Sequence, residues 1–212
     1  MPIPTTVVSK IVDYCKVKGY KLFTDIGELN IVYVEGMDTN GIVNKDEPNQ
    51  FNDVRLVLNS DLKLAKVDEN TFANWGATTE PGRYYTNKPM NPGGAARIAF
   101  GQYKAWSVGT HGNSQPHEAL VQVAPVSVYR DKNKDGLRTG DRLDTGLFGI
   151  NQHWGFDLPP DNVGTASAGC LVGRTREGHR QFMKLVKTDP RYQKDRNYVF
   201  WTTVIPGDEL GI

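Results

Sequence analysis

The chain has 212 residues, enough for one domain with a substantial core, and it carries 25 basic and 24 acidic residues. Its formal net charge of +1 provides no global field that would draw it onto nucleic acid or an anionic membrane surface. With 38% hydrophobic residues, 22 glycines and 12 prolines, the composition favours a loop-rich, β-leaning globular protein over a disordered one. We therefore expect a single domain over residues 1–212 and no nucleic-acid partner, with the oligomeric state left open.

The N-terminal segment, M-P-I-P-T-T-V-V-S-K, lacks the basic start, apolar core and cleavage site of a secretory signal. No run of residues is apolar for the roughly 18 positions that a membrane-spanning helix needs. The sequence thus predicts no membrane span and synthesis in the cytoplasm without an evident export signal. Two cysteines, Cys15 and Cys170, are too few for a disulfide framework, and a single bridge between them stays open.

Apolar residues recur at three- and four-residue spacing in residues 5–18, which predicts an amphipathic helix that ends at Gly19. Cys15 would lie on the buried face of that helix. Short runs of β-forming residues follow at 30–35, 54–58 and 62–67, separated by clusters of Gly, Asn, Asp and Pro. We expect residues 1–40 to form the N-terminal helix and a first strand that packs on it.

Strand signals dominate the middle of the chain. The segment T-T-E-P-G-R-Y-Y at 78–85 predicts a Pro-Gly turn that leads into an aromatic strand. The longest β pattern covers 119–130, and Pro125 within it indicates a bulge or a sheet edge, because proline cannot donate to a ladder. Further strands are expected near 96–99, 103–108 and 198–205.

Residues 175–187 predict a helix with Thr175 as its N-cap. Its inward-facing residues would be Phe182, Leu185 and Val186. Two helices among many short strands indicate a mixed α+β, β-rich fold.

The chemistry is concentrated in residues 148–174, which hold a His, a Cys and a Ser in a glycine-rich setting. A thiol attacks a carbonyl as thiolate and needs a nearby base, which His153 could supply to Cys170. Small residues before the thiol free backbone N–H groups to hold an oxyanion. The pattern therefore favours a cysteine acyl-transfer site, although either residue alone is more often an ordinary core residue.

G-I-N-Q-H-W-G at 149–155, followed by S-A-G-C at 167–170, resembles the paired signature of the L,D-transpeptidase catalytic domain, the YkuD-like family. The run T-T-E-P-G-R-Y is similar to that family's Thr-Pro-x-Gly-x-Phe/Tyr strand, with Glu80 inserted. The resemblance covers roughly residues 75–190 and is to a divergent branch that we associate with phage-type and uncharacterised bacterial cell-wall proteins. It implies an L,D-transpeptidase-like curved sheet or β-sandwich, with an N-terminal helix and a helix after the Cys.

The resemblance also implies a function: a cysteine-dependent enzyme that acts on peptidoglycan stem peptides at the cell wall or periplasm. Cys170 would form a thioester with release of D-Ala, and His153 would shuttle the proton, with no cofactor required. Transpeptidase, L,D-carboxypeptidase and endopeptidase reactions all stay open, because they differ in the bond presented and in whether an amine or water resolves the thioester. The alternative is a non-catalytic cell-wall-binding or virion structural module that keeps the fold, with a calcium-binding loop as its main functional feature.

Four residues form the expected catalytic set: Cys170 as nucleophile, His153 as base, Ser167 and Gly169. Ser167 would bind substrate or hold the loop, and Gly169 belongs to the segment whose N–H groups would stabilise the oxyanion.

Substrate binding is expected from Trp154, Arg174 and His111. The family usually has an arginine two positions after the Cys, which fixes the active-site loop or a substrate carboxylate. The first arginine available here is Arg174, and the resemblance assigns that role to it. Trp154 would line the cleft, and His111 is a second candidate for the base. A zinc site built from His111, His117 and Cys170 is a further alternative, although the histidine spacing is not diagnostic.

The segment D-K-N-K-D-G-L-R-T-G-D at 131–141 resembles the start of an EF-hand calcium loop. Position 12 would be Arg142 instead of Glu, and a strand precedes the loop, so a true EF-hand is not expected. Two interpretations stay open: a solvated hairpin tip rich in turn residues, or a structural calcium site whose ligands would be Asp131, Asn133, Asp135 and Asp141.

Overall fold

The computed structural model describes residues 2–212 and has the mixed α+β, sheet-dominated architecture that the sequence predicts. The helices are α1 (Thr5–Val17), α2 (Arg83–Asn87), α3 (Arg176–Val186) and α4 (Pro190–Lys194), with a 3-10 turn at Asp208–Leu210. The strands are β1 (Asn30–Glu35), β2 (Asp53–Leu58), β3 (Asn74–Thr78), β4 (Ala95–Ile98), β5 (Gly101–His111), β6 (His117–Gln122), β7 (Val126–Asp131), β8 (Arg142–Gly146), β9 (Gln152–Trp154), β10 (Leu171–Gly173) and β11 (Phe200–Pro206).

Eight strands close into a barrel in the order β1-β11-β5-β6-β9-β10-β3-β2. The pairs β1–β11 and β9–β10 are parallel, and the other pairs are antiparallel. The main hydrophobic core includes Tyr33, Trp106 and Leu171 from the barrel together with Phe182 of α3. Joining β9 to β10 in parallel requires the long connection 155–170 to return the chain, and that connection carries the site described below.

Helix α1 packs on the outer side of β1 and β2. Val8 and Ile11 share a second hydrophobic cluster with Val32 and Val34, so the predicted helix and first strand do pack together. Every residue of β1 and β2 is buried, because one face meets the main core and the other meets α1 or further chain. Burial on both faces explains why these strands read as nearly continuous apolar runs. Cys15 is buried in α1, and both cysteines are free.

A three-stranded sheet, β4-β7-β8, lies beside the barrel. The predicted strand at 119–130 is divided between the two sheets: β6 belongs to the barrel and β7 to the small sheet. Pro125 stands immediately before β7, where the chain changes sheets. The missing N–H of proline costs little there, because no ladder hydrogen bond is required.

Two sequence predictions of strands were wrong. Residues 83–87 form α2 where an aromatic strand was expected, since the Pro-Gly turn directs the chain against the connection that precedes Cys170; a Cβ on Gly82 would lie 2.2 Å from the Gly164 carbonyl oxygen. The run 62–67 makes only isolated bridges, Leu58 with Leu64 and Lys66 with Phe72.

The helix predicted at 175–187 is confirmed as α3, and its N-cap is Thr175, whose Oγ accepts a hydrogen bond from the Gly178 N–H at 3.1 Å. The closing strand is confirmed as β11. Within residues 2–212, no helix is long and apolar enough to cross a membrane.

Candidate active site

Strand pairing places Cys170 and His153 on the same outer face of the barrel. Leu171 pairs with Gln152 across β10 and β9, and both point toward the barrel interior, where Gln152 donates to the Thr202 hydroxyl at 2.8 Å. Side chains alternate along a strand, so Cys170 and His153 both point outward. They lie diagonally across adjacent strands, with roughly 8 Å expected between Cα atoms from strand spacing and rise. An imidazole ring can bridge that separation.

Both side chains line one cavity of about 650 Å³. Its walls come from residues 94–96 and 147–150, together with Tyr85, Phe156, Ala166 and Ala168. The cavity therefore lies between the barrel face, strand β4 of the small sheet and the connection that precedes Cys170. Its volume suits a peptide-sized segment rather than a single small ion.

The Cys170 thiol rests in a neutral, hydrogen-bonded state. The residue is 8% exposed, its Sγ–H donates to the Gly149 carbonyl at 3.4 Å, and the Asn151 N–H donates to Sγ at 3.4 Å. Burial raises the pKa of the thiol to about 11, although the Asn151 N–H opposes that rise. No hydrogen bond joins Cys170 to His153 within the described residues. The resting site is therefore not a preformed thiolate–imidazolium pair.

His153 is oriented by the chain itself. Its Nδ1 lies 2.8 Å from the Trp154 carbonyl oxygen, which fixes the proton on Nδ1 and leaves Nε2 as the basic nitrogen. The ring stacks on His111 with centroids 4.0 Å apart and an interplanar angle of 12°. Burial, reinforced by His111, lowers the pKa of His153 to about 3. The imidazole is therefore neutral at neutral pH, with Nε2 unprotonated.

All four histidines of the chain meet in one cluster. The ring of His117 lies 5.9 Å from those of His153 and His179 and 5.5 Å from that of His111. His179 is 1% exposed, between the Glu118 carbonyl and the Arg55 guanidinium, and was not predicted as part of the site. Its spacing from Phe182 and Val186, three and seven residues on, placed it on the buried face of α3 and could have revealed it.

Ser167 forms hydrogen bonds within the loop that leads to Cys170, and it does not line the cavity. Its Oγ donates to the Cys170 carbonyl at 3.0 Å and accepts from the Gly169 N–H at 3.1 Å. Gly169 has a φ of +121°, and a Cβ there would lie 2.4 Å from the Ala96 carbonyl oxygen, so the position requires glycine. Gly169 has its N–H occupied by Ser167, whereas the Cys170 N–H has no acceptor within residues 2–212. The Ala168 N–H likewise has no acceptor there, so two backbone N–H groups of this loop are free.

Of the predicted substrate-binding residues, only His111 lines the cavity. Its Nδ1 lies 2.9 Å from the Asn151 amide nitrogen. Trp154 stacks on His117 at 3.8 Å outside the cavity, and Arg174 lies on another surface, where Nη1 donates to the Leu158 carbonyl at 3.2 Å. The arginine that does line the cavity is Arg130, which the sequence did not single out.

A buried ionic cluster lies apart from the cavity, at the C-terminal end of β1. Arg97 Nη2 contacts the carboxylates of Glu35, Asp46 and Glu80, and Arg138 pairs with Glu35 through both of its terminal nitrogens. Glu35, Asp46 and Glu80 are the one set of three His, Cys, Asp or Glu side chains in residues 2–212 with the spacing of a metal cage. The Arg97 guanidinium occupies the centre of that set and takes the role a cation would have.

The cluster does not ionise uniformly. Burial raises the pKa of Glu35, but hydrogen bonds and charge from Arg138, together with Arg97, bring it to about 2. Burial and the negative charge of Glu35 raise the pKa of Asp46 to about 6. Burial raises the pKa of Glu80 well above its usual range, in spite of Arg97. The arginines thus favour the ionised form of Glu35 most strongly, whereas burial favours the protonated form of Glu80.

The segment 131–141 is attached to this cluster. Asp131 is buried and accepts the Lys134 N–H at 2.6 Å and the Gly136 N–H at 2.9 Å, and the Gly136 carbonyl accepts from Arg97. Asp141 has a buried Oδ2 without a partner, and burial and the charges of Asp131 and Asp135 raise its pKa. An unpaired oxygen among like charges is compatible with a cation, but these carboxylates do not converge to cage spacing. Calcium binding here remains a prediction.

Zinc is not supported by the geometry. Within residues 2–212, neither His111, His117 and Cys170 nor any other set containing a histidine has ligand atoms close enough to hold a metal. The histidines instead pack ring against ring.

Comparison with protein-family models, with curated proteins and with solved structures found no match to this chain.

Proposed function

We propose that this chain is a cysteine-dependent acyl transferase or hydrolase of peptidoglycan stem peptides, with an L,D-transpeptidase-like domain acting at the cell wall. The observation that carries the proposal is that Cys170 and His153 point into one cavity from adjacent strands, with His153 Nδ1 held on the Trp154 carbonyl. The substrate class rests on the resemblance of the segments 149–155 and 167–170 to the L,D-transpeptidase signature.

The first step is acylation. Because thiol and imidazole are both neutral at rest, the proton moves from Sγ to His153 Nε2 as the Cys170 sulfur bonds to the carbonyl carbon of the stem peptide. The Cys170 N–H stabilises the oxyanion, and one such donor contributes roughly 3–4 kcal/mol to lowering the barrier. Collapse of the tetrahedral intermediate breaks the peptide bond, and His153 returns the proton to the departing D-Ala amine.

The second step resolves the thioester. An amine nucleophile yields a crosslink and water yields a shortened stem, with His153 accepting the proton of the nucleophile in both cases. The sulfur then leaves as a thiolate and regains its proton from His153. The open side of the cavity admits either nucleophile, so the choice depends on which one binds there.

The experiment is incubation of the protein with purified muropeptides and analysis of the products by mass spectrometry. We expect wild type to release D-Ala, crosslink or cleave stems, and Cys170→Ala to reduce the rate by roughly 10³-fold or more, as loss of a nucleophile does elsewhere. Cys15→Ala is the matched control, because that thiol is buried in α1 away from the cavity. Absence of any product with wild type, or full activity in Cys170→Ala, would contradict the proposal.

A second candidate function is a non-catalytic wall-binding or virion structural module. The observation that favours it is the resting hydrogen bond of the Cys170 thiol to Gly149, which leaves His153 unengaged. Such a module would retain muropeptides on an affinity column without converting them, whereas an enzyme would release altered products.

A further inference from the structure

Arg130 is the one residue lining the cavity whose side chain carries a fixed charge. The remaining lining residues are apolar, small or neutral polar, and the two histidines have pKa values lowered by burial. Arg130 is only 4% exposed. Arg130 is ion-paired with Asp144, which does not line the cavity, so the guanidinium is the one formal charge that a bound molecule meets directly.

Two neighbours position the guanidinium of Arg130: a carboxylate at its Nε edge and an aromatic ring at one face. Its Nε donates to Asp144 Oδ2 at 3.0 Å, and its Cζ lies 4.3 Å from the centroid of the Phe148 ring. Neither Nη1 nor Nη2 has an acceptor within residues 2–212, and neither is sealed from solvent. Because Arg130 lines the cavity, both terminal nitrogens are left with N–H donors free to bind a ligand there.

Arg130 also lies close to the nucleophile loop. It pairs with Ala96 across strands β7 and β4, and the Ala96 carbonyl packs against Gly169, directly before the thiol. One strand therefore separates the arginine from the loop that carries Cys170. A molecule with its reacting carbonyl at Cys170 would reach the guanidinium by crossing β4 at Ala96.

From this geometry we infer that Arg130 is a specificity-determining residue that binds a free carboxylate on the acyl donor, through its two terminal nitrogens. The planar fork of arginine matches a carboxylate in a two-point hydrogen bond. The cavity therefore selects anionic acyl donors over the same molecules with the carboxylate amidated. This inference takes the reaction at Cys170 from the proposed function. The preference of the cavity for a carboxylate does not depend on that reaction.

The preference can be measured without any natural substrate, by alkylating Cys170. The probes are N-bromoacetyl derivatives of glycine, β-alanine and γ-aminobutyrate, each as the free acid and as the amide; the Sγ–carbon bond forms as bromide leaves. Rates are followed by mass spectrometry in a Cys15→Ala background. We expect the acid-to-amide rate ratio at the best length to exceed that of N-acetylcysteine in solution by about 10- to 100-fold, the range of a charge-assisted hydrogen bond.

Variants assign the preference to the guanidinium. Arg130→Gln should bring the ratio down to that of free N-acetylcysteine, and Arg130→Lys should retain only part of it, because lysine keeps the charge and loses the fork. Arg142→Gln is the matched control: it pairs directly with Arg130 across β7 and β8, but it is exposed and does not line the cavity. It should leave the ratio unchanged.

The wild-type ratio decides the matter even if Arg130→Gln fails to fold. A wild-type ratio equal to that of N-acetylcysteine at every length would overturn the inference, as would an equal loss in Arg130→Gln and Arg142→Gln.

A second arm uses stem tetrapeptides in which each carboxylate is amidated in turn. We expect one amidation to lower kcat/KM about 10-fold or more in wild type and to have little effect in Arg130→Gln. If wild type converts none of the peptides while the alkylation ratio remains high, the proposed function fails and the carboxylate site stands. If the peptides are converted with no selectivity and the alkylation ratio is flat, the site fails and the proposed function stands.

Discussion

The cavity and the ionic cluster both bury ionisable groups, but they leave those groups in opposite states. In the cavity, burial keeps Cys170 protonated and His153 unprotonated, because neither has a partner of opposite charge. In the cluster, Glu35 stays ionised against the effect of burial, because Arg138 and Arg97 donate to its carboxylate. Equal burial thus produces neutral groups or ions according to the partner within hydrogen-bond reach.

This difference matches two tasks. In the proposed mechanism the neutral thiol passes its proton to the neutral imidazole once a bound substrate has changed the cavity, whereas a paired guanidinium and carboxylate hold neighbouring segments together. The cluster joins β1, β4 and the segment 131–141, since Arg97 contacts Glu35 of β1 and the Gly136 carbonyl. We therefore expect changes in the cluster to affect stability and changes in the cavity to affect chemistry.

The largest effect is expected from Arg97→Met. Removing this guanidinium leaves buried carboxylates without their counter-charge, which costs about 3–5 kcal/mol of unfolding free energy. Urea unfolding at pH 7 measures the loss. Arg142→Met, on an exposed position of β8, is the control and should change stability by less than about 0.5 kcal/mol. Similar values for the two variants would show that the cluster is not a structural ion network.

A second pair of variants separates an ion from a neutral acid inside the cluster. Glu35→Gln should cost about 2–3 kcal/mol, since it removes a carboxylate that accepts from both arginines. Glu80→Gln should cost less than Glu35→Gln, less than about 1 kcal/mol, because burial raises the pKa of Glu80 and favours its uncharged form. The same unfolding measurement applies, and equal losses would mean that both carboxyl groups are ionised.

In the cavity, His153 should destabilise the protein in acid. The unfolded chain takes up a proton on this histidine as the pH falls through about 6.5, whereas the folded protein does so only near a pKa of about 3. Acid therefore favours the unfolded state by about 2 kcal/mol at pH 5 relative to pH 8 from this residue. The stability that the folded protein gains by keeping His153 neutral is fully present above about pH 6.5, and it is lost as the pH falls toward 3.

The His153 state can be read directly. The C2 proton resonance of His153 should keep a constant chemical shift from pH 8 to pH 5, and a variant with His153→Gln should show a shallower loss of unfolding free energy over that range. A titration midpoint near 6.5 for His153 would contradict a neutral buried base.

The smallest effect is expected from calcium. Filling a site in the segment 131–141 should raise Tm by about 2–4 °C for each kcal/mol of binding free energy, with reversal by EDTA. Asp135→Asn should reduce that rise, while Asp61→Asn, on an exposed turn distant in sequence, should not. An unchanged Tm with calcium in wild type would leave the hairpin-tip interpretation of this segment.

Short-range patterns were read correctly from the sequence. The spacing of apolar residues predicted α1, the polar cap at Thr175 predicted the start of α3, and runs of β-forming residues predicted β1, β4 and β11. These features depend on residues a few positions apart, so residue propensity and hydrophobic periodicity are enough to predict them. The thiol and imidazole were also found, because glycine-rich spacing around such groups is a local signal, and the structure brings both to one cavity.

The composition of the cavity beyond that pair was decided by long-range pairing. Arg174 was expected to bind substrate because it follows Cys170 closely in sequence, yet it lies on another surface, and Arg130 reaches the cavity because β7 pairs with β4. His179 enters the histidine cluster because α3 packs beside β6 and β9. No local pattern encodes such neighbours.

By itself, the sequence determined the β-rich class and the principal helices, and it singled out Cys170 and His153 as the pair proposed to react, since each is set by residues close together along the chain. Tertiary structure alone decided the protonation of those groups, through burial, and the charge that faces them, through strand order. It also decided which carboxylates meet which arginines, because residues as distant as Glu35 and Arg138 pair only after the barrel and the small sheet come together.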